Sequence, residues 1–401
     1  MNILVLNCGS SSVKYQLIEI ESKQALARGL VDRIGMSGAV LKNARYDGDE
    51  IVITGEILDH TTAIEYILAV LLSKNHGVLA SKNDIHAVGH RVVHGDETFT
   101  GSVLITPDVI KSLRDNIEIA PLHNPHNIRG IVACQAHLPT VPQVGVFDTA
   151  FHIQMPPRAY LYGIPYSFYK EHKIRRYGFH GTSHKFVAQR AAELLRKKCE
   201  DLKIITCHLG NGCSMAAVNH GISIDTTMGF TPLEGLLMGT RSGDMDPSVI
   251  LYIMSKEGLN YAEANTLLNK HSGLMGISGV SSDMREIQGE MEKGNKRAQQ
   301  AFDVFTYRVK KYIGAYAAAM GGLDAVVFTG GIGENSAAVR KFSCEDLAFL
   351  GITVDESKNA SKDKEKEIQT SDSSVRVLVV PTNEELMIAI ETKMVCDQQK
   401  K

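Results

Sequence analysis

The chain has 401 residues, 44% of them hydrophobic and 22% charged, with 43 Lys and Arg against 45 Asp and Glu for a formal net charge of −2. Single cores stop growing at about 250–300 residues, so this length predicts two domains. The balanced charge gives no general attraction for nucleic acid, and the longest apolar stretches, such as Ile64 to Leu72, fall short of the roughly 18–20 residues that span a bilayer.

In chain order, the first segment reads as strands over residues 2–7, 13–20 and 25–31, followed by a polar hairpin near Asn43 to Asp49. Apolar residues begin at Ile3 with no basic segment ahead of them, so no signal peptide is expected. The turn between the first two strands carries Asn7, Ser10, Ser12 and Lys14, a set that can hold phosphate. A helix follows, with Asp59 and Thr61 as caps, Ile64, Ile67, Leu68, Leu71 and Leu72 at helical spacing, and Gly77 as its stop. The apolar run Val141 to Phe147 ends in Asp148 and reads as a core strand that delivers a carboxylate at its C-terminal edge.

Half a chain after Gly9, the strand Ile204 to Cys207 runs into His208-Leu209-Gly210-Asn211-Gly212-Cys213-Ser214. Two halves that each begin with a strand, a glycine turn and another strand predict a duplicated nucleotide-binding fold with its ligand between them. Asp246 and Pro247 open a helix to about Lys256, as N-cap and first residue. A longer helix spans Arg297 to Met320 with Ala301, Phe302, Phe305, Val309, Ile313 and Tyr316 on its apolar face. The strand Ala325 to Phe328 then leads into a glycine turn, Thr329 to Asn335, and a helix from Ser336. Residues 355–374 are mostly polar and read as an exposed loop. The last strand, Val375 to Val380, passes through Pro381-Thr382-Asn383-Glu384-Glu385 into a C-terminal helix with a frayed end.

Seven cysteines, odd in number and without a Cys-x-x-Cys pair, argue against a disulfide framework or a structural zinc site, and point to reduced thiols in a cytoplasm. Neither Gly-x-x-x-x-Gly-Lys-Ser/Thr nor Gly-x-Gly-x-x-Gly occurs, so any ATP is bound differently. The glycine turns at 9–14, 208–214 and 329–335 each follow an apolar strand. Singly they read as tight connections; together they read as backbone N–H groups open to an anion. Arg91 lies in the buried strand Gly89 to Gly95, and Arg241 in Gly239-Thr240-Arg241-Ser242-Gly243. Each is readable as a structural ion pair or as a planar fork for phosphate or carboxylate. His180 and His184 have the i, i+4 spacing of a zinc helix but lack its glutamate, so His180, like His123, is either an oxyanion donor or a core histidine. Asp148 and Glu384 are the carboxylates open to magnesium, although Glu384 equally suits a helix N-terminus.

Taken together these motifs resemble the acetate kinase family, from Met1 to the C-terminal helix. Asn7 to Lys14 is similar to one family signature and Met228 to Gly243 to the other; Gly178 to His184, Phe328 to Asn335 and Pro381 to Glu385 stand with them. The resemblance implies an α/β fold of two duplicated, ribonuclease-H-like lobes of the actin-like ATPase type closing over an active-site cleft. Lobe one would be residues 1–150 completed by helix 385–401, and lobe two residues 151–384. It also implies transfer of phosphate from ATP to acetate, with Mg2+ or Mn2+, in a cytoplasmic homodimer without nucleic acid or membrane partners. By the same resemblance Asn7 and Glu384 organise the metal, while Ser10, Ser12 and Lys14 meet the phosphates. The nucleotide, as ATP or ADP, falls to His208, Leu209, Gly210, Asn211, Gly212, Asp283, Met284, Arg285, Gly331, Ile332, Gly333, Glu334 and Asn335. Arg91 meets the acetate carboxylate, His180 and Arg241 stabilise the moving phosphoryl group, and Asp148 is the remaining active-site acid. Val93, Leu122, Phe179 and Pro232 surround the methyl group, with His123 beside the substrate.

Asp96, Cys213 and Met284 depart from the family pattern, and Cys213 predicts a thiol near the nucleotide, open to slow modification. The rivals are a propionate or butyrate kinase of the same superfamily and an actin-like ATPase that signals by lobe closure.

Overall fold

The computed structural model describes residues 1–117 and 124–399. The chain divides into two compact units, one formed by Met1–Phe151 with Asn383–Lys401 and the other by His152–Thr382. Glu384, which the sequence boundaries assign to the second lobe, belongs to the first unit, because it opens the helix Glu384–Gln398 that packs there.

The first unit is built on β1 (Asn2–Cys8), β2 (Ser12–Glu19), β3 (Gln24–Asp32), β4 (Ala39–Arg45), β5 (Glu50–Gly55), β6 (Ala87–Val92), β7 (Val103–Leu104) and β8 (Gln143–Phe147). They form one sheet in the order β5-β4-β3-β2-β1-β6-β8-β7. The β1-to-β5 meander is antiparallel, whereas β6 runs parallel to β1 and to β8. Side chains alternate across a strand, so β1 feeds two cores. Leu4, Leu6 and Cys8 pack with Ile64, Ile67 and Leu68 of the helix His60–Leu71. Ile3 and Val5 pack with Ile388, Ala389 and Val395 of the C-terminal helix. Asp59 caps His60–Leu71 by accepting from the Thr62 N–H at 2.8 Å. That helix ends six residues before Gly77, which instead closes the following turn by donating to Ser73.

The second unit contains β9 (Lys203–Leu209), β10 (Cys213–Asn219), β11 (Ile222–Thr226), β12 (Ala325–Thr329), β13 (Lys366–Glu367) and β14 (Arg376–Val379), in the order β11-β10-β9-β12-β14-β13. Here too three antiparallel strands are followed by two parallel ones, so β11-β10-β9-β12-β14 repeats β3-β2-β1-β6-β8. The fold is a duplicated, ribonuclease-H-like α/β architecture. The helix Lys296–Met320 buries Phe302, Phe305, Val309, Ile313 and Tyr316 and stops at Gly321, which takes the left-handed conformation.

Two local expectations are corrected. Thr329 to Asn335 is not an open turn: Gly330–Asn335 is a short helix, followed after Ser336 by the helix Ala337–Cys344. Nor are residues 355–374 merely an exposed loop. They form the helix Glu356–Asn359 and β13, because the buried Arg340 donates to the Asn359 side chain at 2.7 Å and to its carbonyl at 2.8 Å. Among the described residues no helix is long and apolar enough to cross a membrane.

Candidate functional site

In the first unit the β1–β2 hairpin sets Asn7 opposite Lys14 in register. Its turn is closed by Gly9 N–H donating to Ser12 O at 2.8 Å, and His60 Nε2–H donates to the Gly9 carbonyl at 2.8 Å. Ser10 is left exposed at its tip. The neighbouring strands β6 and β8 deliver Arg91 and, one residue past β8, Asp148. Arg91 Nη2 donates to Asp148 Oδ2 at 2.6 Å and Nε to the same oxygen at 3.1 Å. Glu384 Oε2 lies 3.9 Å from Arg91 Nε. Burial alone would lower the Arg91 pKa, but Asp148, Glu384 and Glu385 outweigh it and hold the guanidinium charged. Arg91 is therefore an ion pair along one edge, while Nη1 has no hydrogen-bond partner among the described residues.

Val93 lies two residues past Arg91, and its N–H donates to Asn127 Oδ1 at 3.1 Å. Asn127 Nδ2 in turn donates to the Cys8 carbonyl at 3.0 Å, tying the end of β6 to the end of β1. Sequence reasoning missed Asn127, since nothing in Asn124-Pro125-His126-Asn127 marks which amide is turned inward. Leu122 and His123 lie outside the described residues.

The oxygen donors at this end are Asn7, Asp148 and Glu384. Glu384 has its pKa raised, first by burial and then by Asp148 and Glu385, against the opposing pull of Arg91 and Lys14. A surplus of carboxylate over cation suits a hard divalent ion, and Mg2+ takes one or two carboxylates with water and phosphate oxygens rather than a full protein cage. Among the described residues no group of three or more His, Cys, Asp and Glu forms such a cage.

In the second unit His180 caps the helix Gly181–Leu194 in a left-handed conformation, φ 56°. Its ring stacks on His208 with centroids 4.3 Å apart, and its Nδ1 lies 2.9 Å from Ser214 Oγ. Phe179, just before it, is buried, and its carbonyl accepts from His152 Nε2 at 3.1 Å. Arg241 donates through Nη1 to the Pro232 carbonyl at 2.7 Å. No carboxylate among the described residues pairs with Arg241, and burial lowers its pKa. The two side chains converge: a Cβ on Gly212 would stand 3.3 Å from Arg241 Nη2 and 3.6 Å from His180 Nε2. The glycines around Arg241 serve packing. Gly243 has φ +66°, and a Cβ on Gly239 would be 2.0 Å from Asn211 Oδ1.

A cavity of about 760 Å³ in this unit is lined by Gly210 and Asn211, by Asp283, Met284 and Arg285, and by Gly331, Ile332 and Asn335. Ser282, Gln288 and Ser336 line it as well and were not singled out from sequence. Asp283 caps the helix Met284–Glu292, accepting from Arg285 N–H at 2.8 Å, and also pairs with the Arg285 guanidinium at 2.6 Å. Leu209 and Gly333 are buried beside this lining, whereas the Glu334 carboxylate turns back to accept from Gly330 N–H at 2.9 Å. Cys213 is buried, donates to the Gly210 carbonyl at 3.0 Å and has its pKa pushed up to about 12 by burial. Burial of the thiol, with Sγ turned to a carbonyl, disfavours the thiolate, which is the reactive form.

The acetokinase family model matches residues 2–390. The chain is 57% identical to the acetate kinase of Alkaliphilus metalliredigens over 393 residues, covering 98% of this chain and 99% of that protein. It is similar in structure to Porphyromonas gingivalis acetate kinase, with TM-score 0.96, 49% identity and coverage of 98% and 99% of the two chains. A propionate kinase from Francisella tularensis matches with TM-score 0.91, 45% identity and the same coverage, 98% and 99%.

Proposed function

The chain belongs to the acetokinase family, and from that premise we propose that it transfers the γ-phosphoryl group of ATP reversibly to acetate, giving acetyl phosphate and ADP. The observation that carries the reading is Arg241, a half-buried guanidinium with a carbonyl for a partner and no carboxylate among the described residues, converging with His180. A cation held in that state favours an incoming anion.

Acetate, with a carboxyl pKa of about 4–5, is ionised at neutral pH and needs no general base. One of its oxygens attacks the γ-phosphorus, the bond to the β-phosphate oxygen breaks, and ADP leaves with the electron pair; no proton has to move. The obstacle is repulsion between anions, and in the transition state charge spreads over three equatorial oxygens. Arg91 would take the acetate carboxylate on its open edge, with Asp148 holding the guanidinium in orientation rather than acting as a base. Lys14 and the hydroxyls of Ser10 and Ser12 would meet phosphate oxygens. His180 and Arg241 would stabilise the moving phosphoryl group, and the cavity lined by Asn211, Asp283 and Ile332 would take the nucleoside. Asn7 and Glu384 would hold Mg2+, or Mn2+ in its place, which when bound neutralises phosphate charge. Val93, Phe179 and Pro232 would bound the methyl group; one methylene is worth only about 1–3 kcal/mol, so slower propionate turnover is expected.

The reading includes a homodimer, supported by the exposed Val249, Leu251 and Tyr252 on the helix Pro247–Glu257 and by Tyr261, and a cytoplasmic location, supported by seven cysteines that form no disulfide. The deciding experiment measures ADP release with Mg2+ and either acetate or propionate. Acetate-dependent release that falls about 100- to 1,000-fold in Arg241→Ala is expected. ATP hydrolysis indifferent to acetate, or a higher kcat/KM for propionate, would overturn the assignment.

A further inference from the structure

His180 is the outer end of a hydrogen-bonded chain that runs into the core of the second unit. Ser214 Oγ lies 2.9 Å from His180 Nδ1 and 2.7 Å from His184 Nε2, and Thr206 Oγ1 lies 2.7 Å from His184 Nδ1. Ser214, His184 and Thr206 are each 0% exposed. Each link holds one proton, and each hydroxyl and each neutral imidazole brings one.

With both imidazoles neutral, two arrangements fill every link. In the first, Thr206 donates to His184 Nδ1, His184 Nε2–H donates to Ser214, and Ser214 donates to His180 Nδ1, which leaves the His180 proton on Nε2. In the second every donor is reversed, and the His180 proton sits on Nδ1. The buried end decides between them. Thr206 Oγ1 has His184 as its one hydrogen-bond partner among the described residues, so in the second arrangement its own proton would be buried without an acceptor.

We propose that Ser214, His184 and Thr206 are positioning residues that hold His180 as the neutral imidazole protonated on Nε2, a fixed hydrogen-bond donor on the side shared with Arg241 Nη2. The role of the donor rests on the reading of His180 as a stabiliser of the phosphoryl group. The tautomer itself does not. His184 stays neutral because burial, with His152 and His208 close by, lowers its pKa well below the ordinary histidine value. A second buried histidine obeys the same logic. His152 faces the Phe179 carbonyl with Nε2 at 3.1 Å and Ser223 Oγ with Nδ1 at 2.7 Å. A carbonyl only accepts, so His152 Nε2 carries the proton and anchors the backbone one residue before His180. Among the described residues, the titratable and charged groups facing His180 include His184 from its own helix, His208 from β9 and Arg241 from the loop after β11. A neutral donor needs no added proton, so kcat stays level as pH rises through the imidazole range.

The direct test is nitrogen-15 NMR of histidine-labelled protein at pH 8, with His180 assigned by the signal lost in His180→Asn. A proton on Nε2 and a bare Nδ1 are expected; a proton on Nδ1 would overturn the proposal. Kinetics supply the second arm: Ser214→Ala and Thr206→Val should lower kcat roughly tenfold while KM for acetate and ATP stays within about twofold, and kcat should now fall with rising pH. Thr206→Ser, which keeps the hydroxyl, should retain wild-type kcat and its level profile; equal behaviour of Thr206→Ser and Thr206→Val would count against the relay. If Thr206→Val does not fold, the tautomer of the wild-type protein still decides. A wild-type chain without acetate-dependent ADP release would sink the functional reading and leave the tautomer result standing.

Discussion

The two units share a strand order and a glycine turn after their first strand, yet they treat a half-buried arginine in opposite ways. In the first, Arg91 is gripped by a carboxylate that is 1% exposed. In the second, Arg241 is given a backbone carbonyl and no acid among the described residues. The scaffold permits either solution. Breaking the pair of the first leaves a charge less compensated, whereas an arginine with no acid beside it bears its desolvation cost until an anion arrives.

The largest expected effects test that difference directly. Asp148→Ala leaves Arg91 only the more distant Glu384 and should lower unfolding free energy by about 3 kcal/mol, the low end for a broken buried pair because Arg91 is also partly exposed. Arg241→Ala should change stability by less than about 1 kcal/mol despite its large loss of activity. Urea denaturation of both variants checks the contrast, and equal destabilisation would erase it.

Next in size is the acid response. Burial pushes His90 down to about 4, and His184 is lowered in the same direction. A folded-state pKa below the unfolded one means the unfolded chain takes its proton first. Stability should therefore fall as pH drops from about 6.5 and level off near 4, by about 3 kcal/mol for His90. Melting temperatures across that range should show the loss, and His90→Gln should flatten it. Smaller still, Asn359→Ala removes the acceptor of the buried Arg340 and should cost about 1–3 kcal/mol. Least of all, thiol reagents should leave Cys213 unmodified in the native protein with or without ATP, as mass spectrometry of labelled peptides would show.

Much of the fold was legible because it rests on local signals. The runs Ile3 to Leu6 and Ala325 to Phe328 are apolar enough to be central strands, and Asp246-Pro247 and Gly321 mark helix ends in the conformations they favour. The segment 355–374 was not legible, because its order comes from one buried arginine recruited from another helix. Gly330 to Asn335 misled for a related reason: glycines signal freedom, and here the Glu334 carboxylate uses that freedom to close a short helix. Among the site candidates, charged residues in apolar or glycine-rich surroundings stood out, but Asn127, Ser214, Thr206 and His152 did not. Small polar residues are common, and only their burial distinguishes these.

Sequence alone determined the duplicated α/β plan, the division into two units and the residue types available for anion chemistry, since periodicity, capping and glycine placement act over a few neighbours. Tertiary structure decided which charges are neutralised and which stay open. Hydrogen bonds and ion pairs such as Arg91–Asp148 and His184–Ser214 join residues 57 and 30 positions apart, and their strength depends on burial that no local window contains.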